Sequence, residues 1–190
     1  MTEKKKWYYT TIERMSMIFG IGILLIAIPV VVFDIKLPNN TKQKIIKPDP
    51  IQYLTNIVIK KQPRIDPSIA KPIAEAVFKY AKKYKFPPEL IISIIEQESS
   101  FNQMRVSSAS CVGLMQINSK MHPKKLKKLG IKGTQVFHID NNIHLGTVIL
   151  YEYYDSTKTI SGALQKYLGA ANKEYILNIL SSFADLITQK

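Results

Sequence analysis

Cysteine is nearly absent. Cys111 is the single one in a chain of 190 residues, so no internal disulfide framework can exist. It lies far from the N-terminus, which excludes lipoprotein attachment after a signal segment; its default role is buried packing. Arginine is almost as scarce. Of 27 Lys and Arg, only Arg14, Arg64 and Arg105 are arginine. Base-reading and phosphate-clamping surfaces lean on Arg, so no nucleic-acid partner is expected, despite a formal charge of +13. That charge is spread over scattered lysines. It suits a membrane surface or an acidic polymer. The densest cluster, "HPKKLKKLG" (His122 to Gly130), reads as the solvated face of a short helix. His122, His138 and His144 form no H-E-x-x-H pattern, so no metal site is expected.

One long apolar run stands out. Met15 to Phe33 reads "MSMIFGIGILLIAIPVVVF", about nineteen uncharged residues, enough for a bilayer core of about 30 Å. Lys4, Lys5, Lys6 and Arg14 precede it and place residues 1–14 in the cytoplasm. Trp7, Tyr8 and Tyr9 fit an interfacial aromatic belt. A cleavable signal peptide is the alternative, but the run ends in "PVVVFDIKLP", without a small-x-small site. The expectation is an uncleaved anchor over 15–33. Residues 34–66, punctuated by Pro38, Pro48, Pro50 and Pro63, read as a linker. Within them "YLTNIVIK" has the composition of a strand.

Helical signals dominate 67–190, and the fold class is mainly α. "PSIAKPIAEAVFKYAKKYKF" puts Ile73, Val77, Tyr80, Ala81 and Tyr84 on one face. Pro87-Pro88 breaks the chain, and Pro88 suits the first position of a new helix. "PKKLKKLGI" suggests a short helix ending at Gly130. "DNNIHLGTVILYEYYDS" spaces Ile143, Gly146, Ile149, Leu150 and Tyr153 helically, with Asp140 or Asn141 as cap. "ISGALQKYLGA" and "NKEYILNILSSFADLITQ" supply two more.

The helix after Pro88 carries three carboxylates. At about 100° per residue, with Glu89 at zero, Ser93 falls near 40°, Ser100 near 20° and Glu96 near 340°. These four make a polar stripe, and Glu89 and Glu96 read as solvated. Glu98 falls near 180°, among Ile91, Ile94 and Ile95. Burial disfavours the charged form, so its pKa should rise. A carboxyl that is protonated near neutral pH can donate a proton to a leaving group.

Four segments, in order and correctly spaced, carry a resemblance: "ESSFN" (Glu98 to Asn102), "VSSASCVGLMQIN" (Val106 to Asn118), "NIHLGTVIL" (Asn142 to Leu150) and "ALQKYLGA" (Ala163 to Ala170). Together they resemble the soluble-lytic-transglycosylase family, over roughly Pro67 to Gly169. The resemblance implies a lysozyme-like helical fold and cleavage of peptidoglycan glycan strands between N-acetylmuramic acid and N-acetylglucosamine. It implies a 1,6-anhydro product rather than added water. It assigns Glu98 as acid, then base. It sets Ser107 beside the saccharide, Met115 and Gln116 along the groove, and Tyr167 near the carboxyl. Three residues depart from the pattern: Leu168 replaces the Asn after that tyrosine, Ala170 replaces the final Gly, and Ser110 stands where Gly is usual.

The family's route needs one carboxyl, whereas an ordinary glycosidase needs two. No second carboxylate occurs between Ser99 and Asn118; Asp140 and Glu152 are the distant candidates. No cofactor is implied. Two alternatives stay open: a hydrolysing lysozyme of the same fold, and a weakly active envelope-assembly component. The short tether suggests wall opening at a local site, such as a secretion or conjugation apparatus would need. The expected location is the bacterial cytoplasmic membrane, single-pass, with the domain facing the periplasm or wall. A reporter fused after residue 60 should then be active only when exported, and a mature chain lacking 1–33 would overturn the anchor.

Overall fold

The computed structural model describes residues 49–169 and 173–188. The expected anchor over 15–33 lies outside them. Among the described residues no helix is long and apolar enough to cross a membrane. The described part is mainly helical. Its elements are α1 (Pro50–Lys61), α2 (Pro67–Tyr84), α3 (Pro88–Ser99), β1 (Cys111–Val112), β2 (Ile117–Asn118), α4 (Pro123–Leu129), α5 (Ile139–Thr157), α6 (Ile160–Leu168) and α7 (Lys173–Thr188). Short 3-10 turns occupy Ser119–Met121 and Gly133–Phe137.

The expected linker over 34–66 is wrong over 50–61, because α1 belongs to the core. Leu54, Ile57 and Val58, spaced one helical turn apart, are buried against α2. Each such side chain contributes roughly 1.5–3 kcal/mol on burial. Two sequence signals were misleading. The β-branched residues of "YLTNIVIK" resemble a strand, but their buried members follow the helical period. Pro50, moreover, starts the helix rather than breaking it. Asp49 caps it by accepting from Ile51 N–H at 3.0 Å. Pro67 begins α2 in the same way, with Asp66 accepting from Ser68 N–H at 2.8 Å. Proline at the first helical position loses no intrahelical bond.

The main packing pairs are α1 with α2, α2 with α5, α5 with α6, and α3 with α7. The interior is built from Ile73 and Val77 of α2, most of α3, and Ile143, Leu145 and Leu150 of α5. Neighbours on several sides enclose α3, which corrects the solvated stripe. Glu89 is 1% exposed and Ser93 0%. Glu96 is half-buried and bridges Lys61 Nζ at 3.0 Å and Ser182 Oγ at 2.6 Å. The helical angles hold, but the neighbours on the polar side are α1 and α7 rather than water. A cap is corrected too: α5 starts at Ile139 after His138, so Asp140 and Asn141 fall inside its first turn.

The hairpin pairs Cys111 with Asn118 and Val112 with Ile117, antiparallel. Buried Asn142 of α5 ties it down. Its Oδ1 accepts from Met115 N–H at 2.8 Å, and its Nδ2 donates to Val112 O at 3.0 Å and Val136 O at 2.9 Å. Two glycines make the approach possible. A Cβ on Gly113 would sit 2.2 Å from Asn142 Nδ2, and one on Gly146 would sit 2.4 Å from Met115 Sδ.

Asn142→Leu strands three buried backbone groups, so chemical denaturation should show a loss of at least about 3 kcal/mol. Gly146→Ala should cost about 1–3 kcal/mol by overpacking. Combined with Met115→Ala, which removes the contacts with Sδ and Cε and leaves the one with Cβ at 2.8 Å, the cost should fall below the sum of the two single effects.

Candidate active site

A cavity of about 420 Å³ opens where α3, the hairpin, α6 and α7 meet; Gln97, Glu98, Arg105, Ser107, Cys111, Gln116, Tyr167, Leu168 and Tyr175 line it. That volume falls within the range of ligand sites. Among the described residues Glu98 is its only carboxyl. Burial pushes the Glu98 pKa up to about 7, while a hydrogen bond from Tyr175 and the charge of Arg105 pull the other way. The carboxyl is therefore poised to hold or release a proton near neutral pH.

Tyr167 arrives from α6. Its hydroxyl donates to Met115 O at 2.8 Å. Burial, followed by the negative charge of Glu98, raises its pKa well above the usual range. Tyr175, from α7, meets Glu98 directly, and burial likewise raises its pKa. Both phenols stay protonated and act as donors. Ser107 closes the serine loop on itself: its N–H donates to Cys111 O at 2.9 Å, and its Oγ accepts from Cys111 N–H at 3.1 Å. Gln116 takes a left-handed backbone (φ 45°), and its Nε2 donates to Gly113 O at 3.0 Å and Arg105 O at 3.2 Å.

Four expected residues, Glu98, Ser107, Gln116 and Tyr167, thus converge on one cavity. Met115 does not. It is 0% exposed, packed against Gly146, and serves through its backbone by holding Asn142 and Tyr167. The lysine cluster of α4 is not part of the lining either. Cys111 departs from its expected role as buried filler: it is half-buried and lines the cavity. Gln97, Arg105 and Tyr175 were missed. Arg105 had one available signal, as a rare arginine in a lysine-rich chain. Tyr175 had none, since only folding brings α7 to α3.

The distant carboxylates are committed elsewhere. Asp140 accepts from Lys79 at 2.9 Å and Tyr80 at 2.6 Å, and Glu152 pairs with Lys125 at 2.7 Å. Among the described residues no group of His, Cys, Asp and Glu is placed to hold a metal. Of the departures from the family pattern, Leu168 lines the cavity and Ser110 has φ 60°, a conformation that glycine adopts more readily. Ala170 lies outside the described residues.

Fold and site together define a helical domain that presents one raised-pKa carboxyl, flanked by two tyrosines, to a ligand-sized cavity. The family model "Transglycosylase SLT domain" matches residues 75–174. It covers more than half of the chain, and the chain belongs to that family. Among similar proteins is a "Transglycosylase" of Enterobacteria phage PRD1, 29% identical over 99 residues, 52% of this chain and 35% of that protein. Another is "Membrane-bound lytic murein transglycosylase C" of Yersinia pestis (strain Pestoides F), 38% identical over 79 residues, 39% of this chain and 22% of that protein. The chain thus spans about a third and about a fifth of the length of these relatives.

The raised pKa of Glu98 links pH to stability. A neutral carboxyl is accommodated best, so this contribution is complete below the unfolded value of about 4.5 and is lost as pH rises through about 7. Glu98→Gln, permanently neutral, should match the native domain at pH 4. At pH 8–9 it should melt higher, by on the order of 3 kcal/mol of stability.

Proposed function

We propose that the domain is a peptidoglycan lytic transglycosylase that cleaves the β-1,4 bond between N-acetylmuramic acid and N-acetylglucosamine. The observation that carries this reading is the solitary carboxyl. Glu98 has a pKa pushed up to about 7, and among the described residues no second carboxylate lines the cavity. A hydrolase must hold a water opposite the leaving group or form a covalent intermediate, and both need a second placed group. Family membership and the names of the two relatives support the same chemistry.

In the proposed mechanism protonated Glu98 gives its proton to the glycosidic oxygen as the C1–O bond breaks. The N-acetyl carbonyl of the muramoyl sugar stabilises the positive charge at C1. The Glu98 carboxylate then takes the proton of the C6 hydroxyl, whose oxygen bonds to C1. The carboxyl is regenerated and no water is consumed. The nucleophile is already tethered beside C1, an advantage that can reach several kcal/mol. Tyr175 donates a hydrogen bond to the carboxylate stage. Tyr167 and Gln116 brace the wall that faces the sugar. Under the same proposal the apolar run over 15–33 anchors the chain in the cytoplasmic membrane and holds the domain on the wall side. The supports for that part are the uncharged run and the preceding Lys4, Lys5, Lys6 and Arg14.

Digestion of purified peptidoglycan should yield 1,6-anhydro-muramoyl ends, lighter by about 18 Da than hydrated reducing ends. Predominantly reducing ends would sink the lytic mechanism. Glu98→Gln should fold and lose at least about 10²–10⁴ in rate, whereas Glu96→Gln should retain turnover. In the native enzyme kcat/KM should fall as pH rises through about 7, because the first step needs the protonated acid.

A further inference from the structure

The same cavity that holds one acid holds one cation. Among the described residues Arg105 is the only basic side chain in its lining. Lys61, Lys71, Lys79, Lys125 and Lys158 have acidic partners within 4 Å; among the described residues Arg105 has none. Its root is fixed nonetheless. Arg105 O accepts from Gly113 N–H at 2.9 Å and from Gln116 Nε2 at 3.2 Å, so its backbone is stapled to the hairpin loop. The side chain is exposed to solvent and close enough for its charge to act on Glu98.

That placement works against Glu98 if Arg105 serves the protein alone. A guanidinium favours the carboxylate, yet the acid step needs the neutral form. Its charge therefore suits the acid step only if something arriving in the cavity neutralises it. The motif serine loop begins at the next residue but one, Ser107, on the same wall, so an incoming saccharide would pass both.

We propose that Arg105 captures a carboxylate on the muramoyl side of the glycan strand and makes this site selective for anionic over neutral strands. The proposal rests on the peptidoglycan reading of the site. Two sources present the same planar acceptor: the lactyl carboxylate of a peptide-free strand, and a free carboxylate of the stem peptide. A guanidinium matches either in bidentate geometry, which an ammonium cannot do. Capture also has a consequence for chemistry. A bound anion cancels the guanidinium's field at Glu98 and favours the protonated form when an acid is required. The other groups facing Glu98 are Tyr175 of α7, Tyr167 of α6 and Cys111 of the hairpin. None can carry positive charge, so among the described lining residues Arg105 alone supplies this coupling.

The test is calorimetric binding to the full chain in detergent, in the Glu98→Gln background, so that capture is read without turnover. The probes are muramoyl oligosaccharides with stem peptides, peptide-free ones with free lactyl carboxylates, and peptide-free ones whose carboxylates are amidated. With Arg105 present, a carboxylate-bearing probe should bind about tenfold more tightly than the amidated one. Added Arg105→Gln should bring that ratio to about one, and Arg105→Lys should restore part of it. A preference limited to the peptide-bearing probe assigns the stem carboxylate; one shared by the peptide-free acid assigns the lactyl group. Binding of both carboxylate-bearing probes no tighter than the amidated one, or a ratio that survives Arg105→Gln, would overturn the proposal. Failure of every probe to bind would sink it together with the peptidoglycan reading. Reducing ends in the native digest would sink the lytic mechanism alone and leave the Arg105 ratio standing.

Discussion

Asn142 is the joint on which the site depends. It is a polar side chain with no exposed surface, and its amide makes three hydrogen bonds to the backbone of the hairpin and of the turn before α5. A buried amide is tolerated only when its donors and acceptor are matched. Here the match sets position as well as energy. By holding Met115 N–H and Val112 O it sets the height of the loop between β1 and β2. Met115 then presents its carbonyl to Tyr167 and its side chain to Gly146. One wall of the cavity is thus keyed to α5 and α6. Cys111, Ser107 and Gln116 look into the cavity because Met115 looks away.

The opposite wall has a different constraint. Helix α3 must end just after Glu98, and it ends in two consecutive non-glycine residues with positive φ: Ser100 at 49° and Phe101 at 62°. Such conformations cost of order 1–3 kcal/mol each and persist only where the surroundings overdetermine them. The surroundings do so here. Phe101 is buried, Ser100 N–H donates to Glu96 O at 2.9 Å, and Gln62 at the end of α1 donates to Ser100 O at 3.2 Å. The segment that resembled a linker therefore helps hold the turn beside Glu98. Lys61 reinforces this from α1 through Glu96.

Several parts of the domain were legible because the information is local. Helical spacing put Glu98 among isoleucines. Gly130 ended α4, and Pro88 began α3. The spacing of "NIHLG" set Asn142 and Gly146 one turn apart, where both meet Met115. Other parts were not legible. Glu89 and Ser93 fell on the polar side of α3, but a helical angle says which residues share a face, not what covers that face. Met115 and Gln116 are adjacent and point oppositely, a distinction made by a hairpin turn with φ 45° at Gln116.

The sequence by itself determined the mainly helical class, most helix boundaries and the residue that can act as an acid, because periodicity, caps and turn residues act within a few positions. Tertiary structure alone decided how that acid is framed. Tyr175, Tyr167 and Arg105 lie 77, 69 and 7 residues from Glu98, and even the nearest needed a fold to aim its backbone at the hairpin. Desolvation, hydrogen bonding and opposing charge all depend on distance in space, which no local pattern encodes. The pKa of Glu98 is therefore a property of the assembled cavity, although its residue type and helical face were readable from the chain.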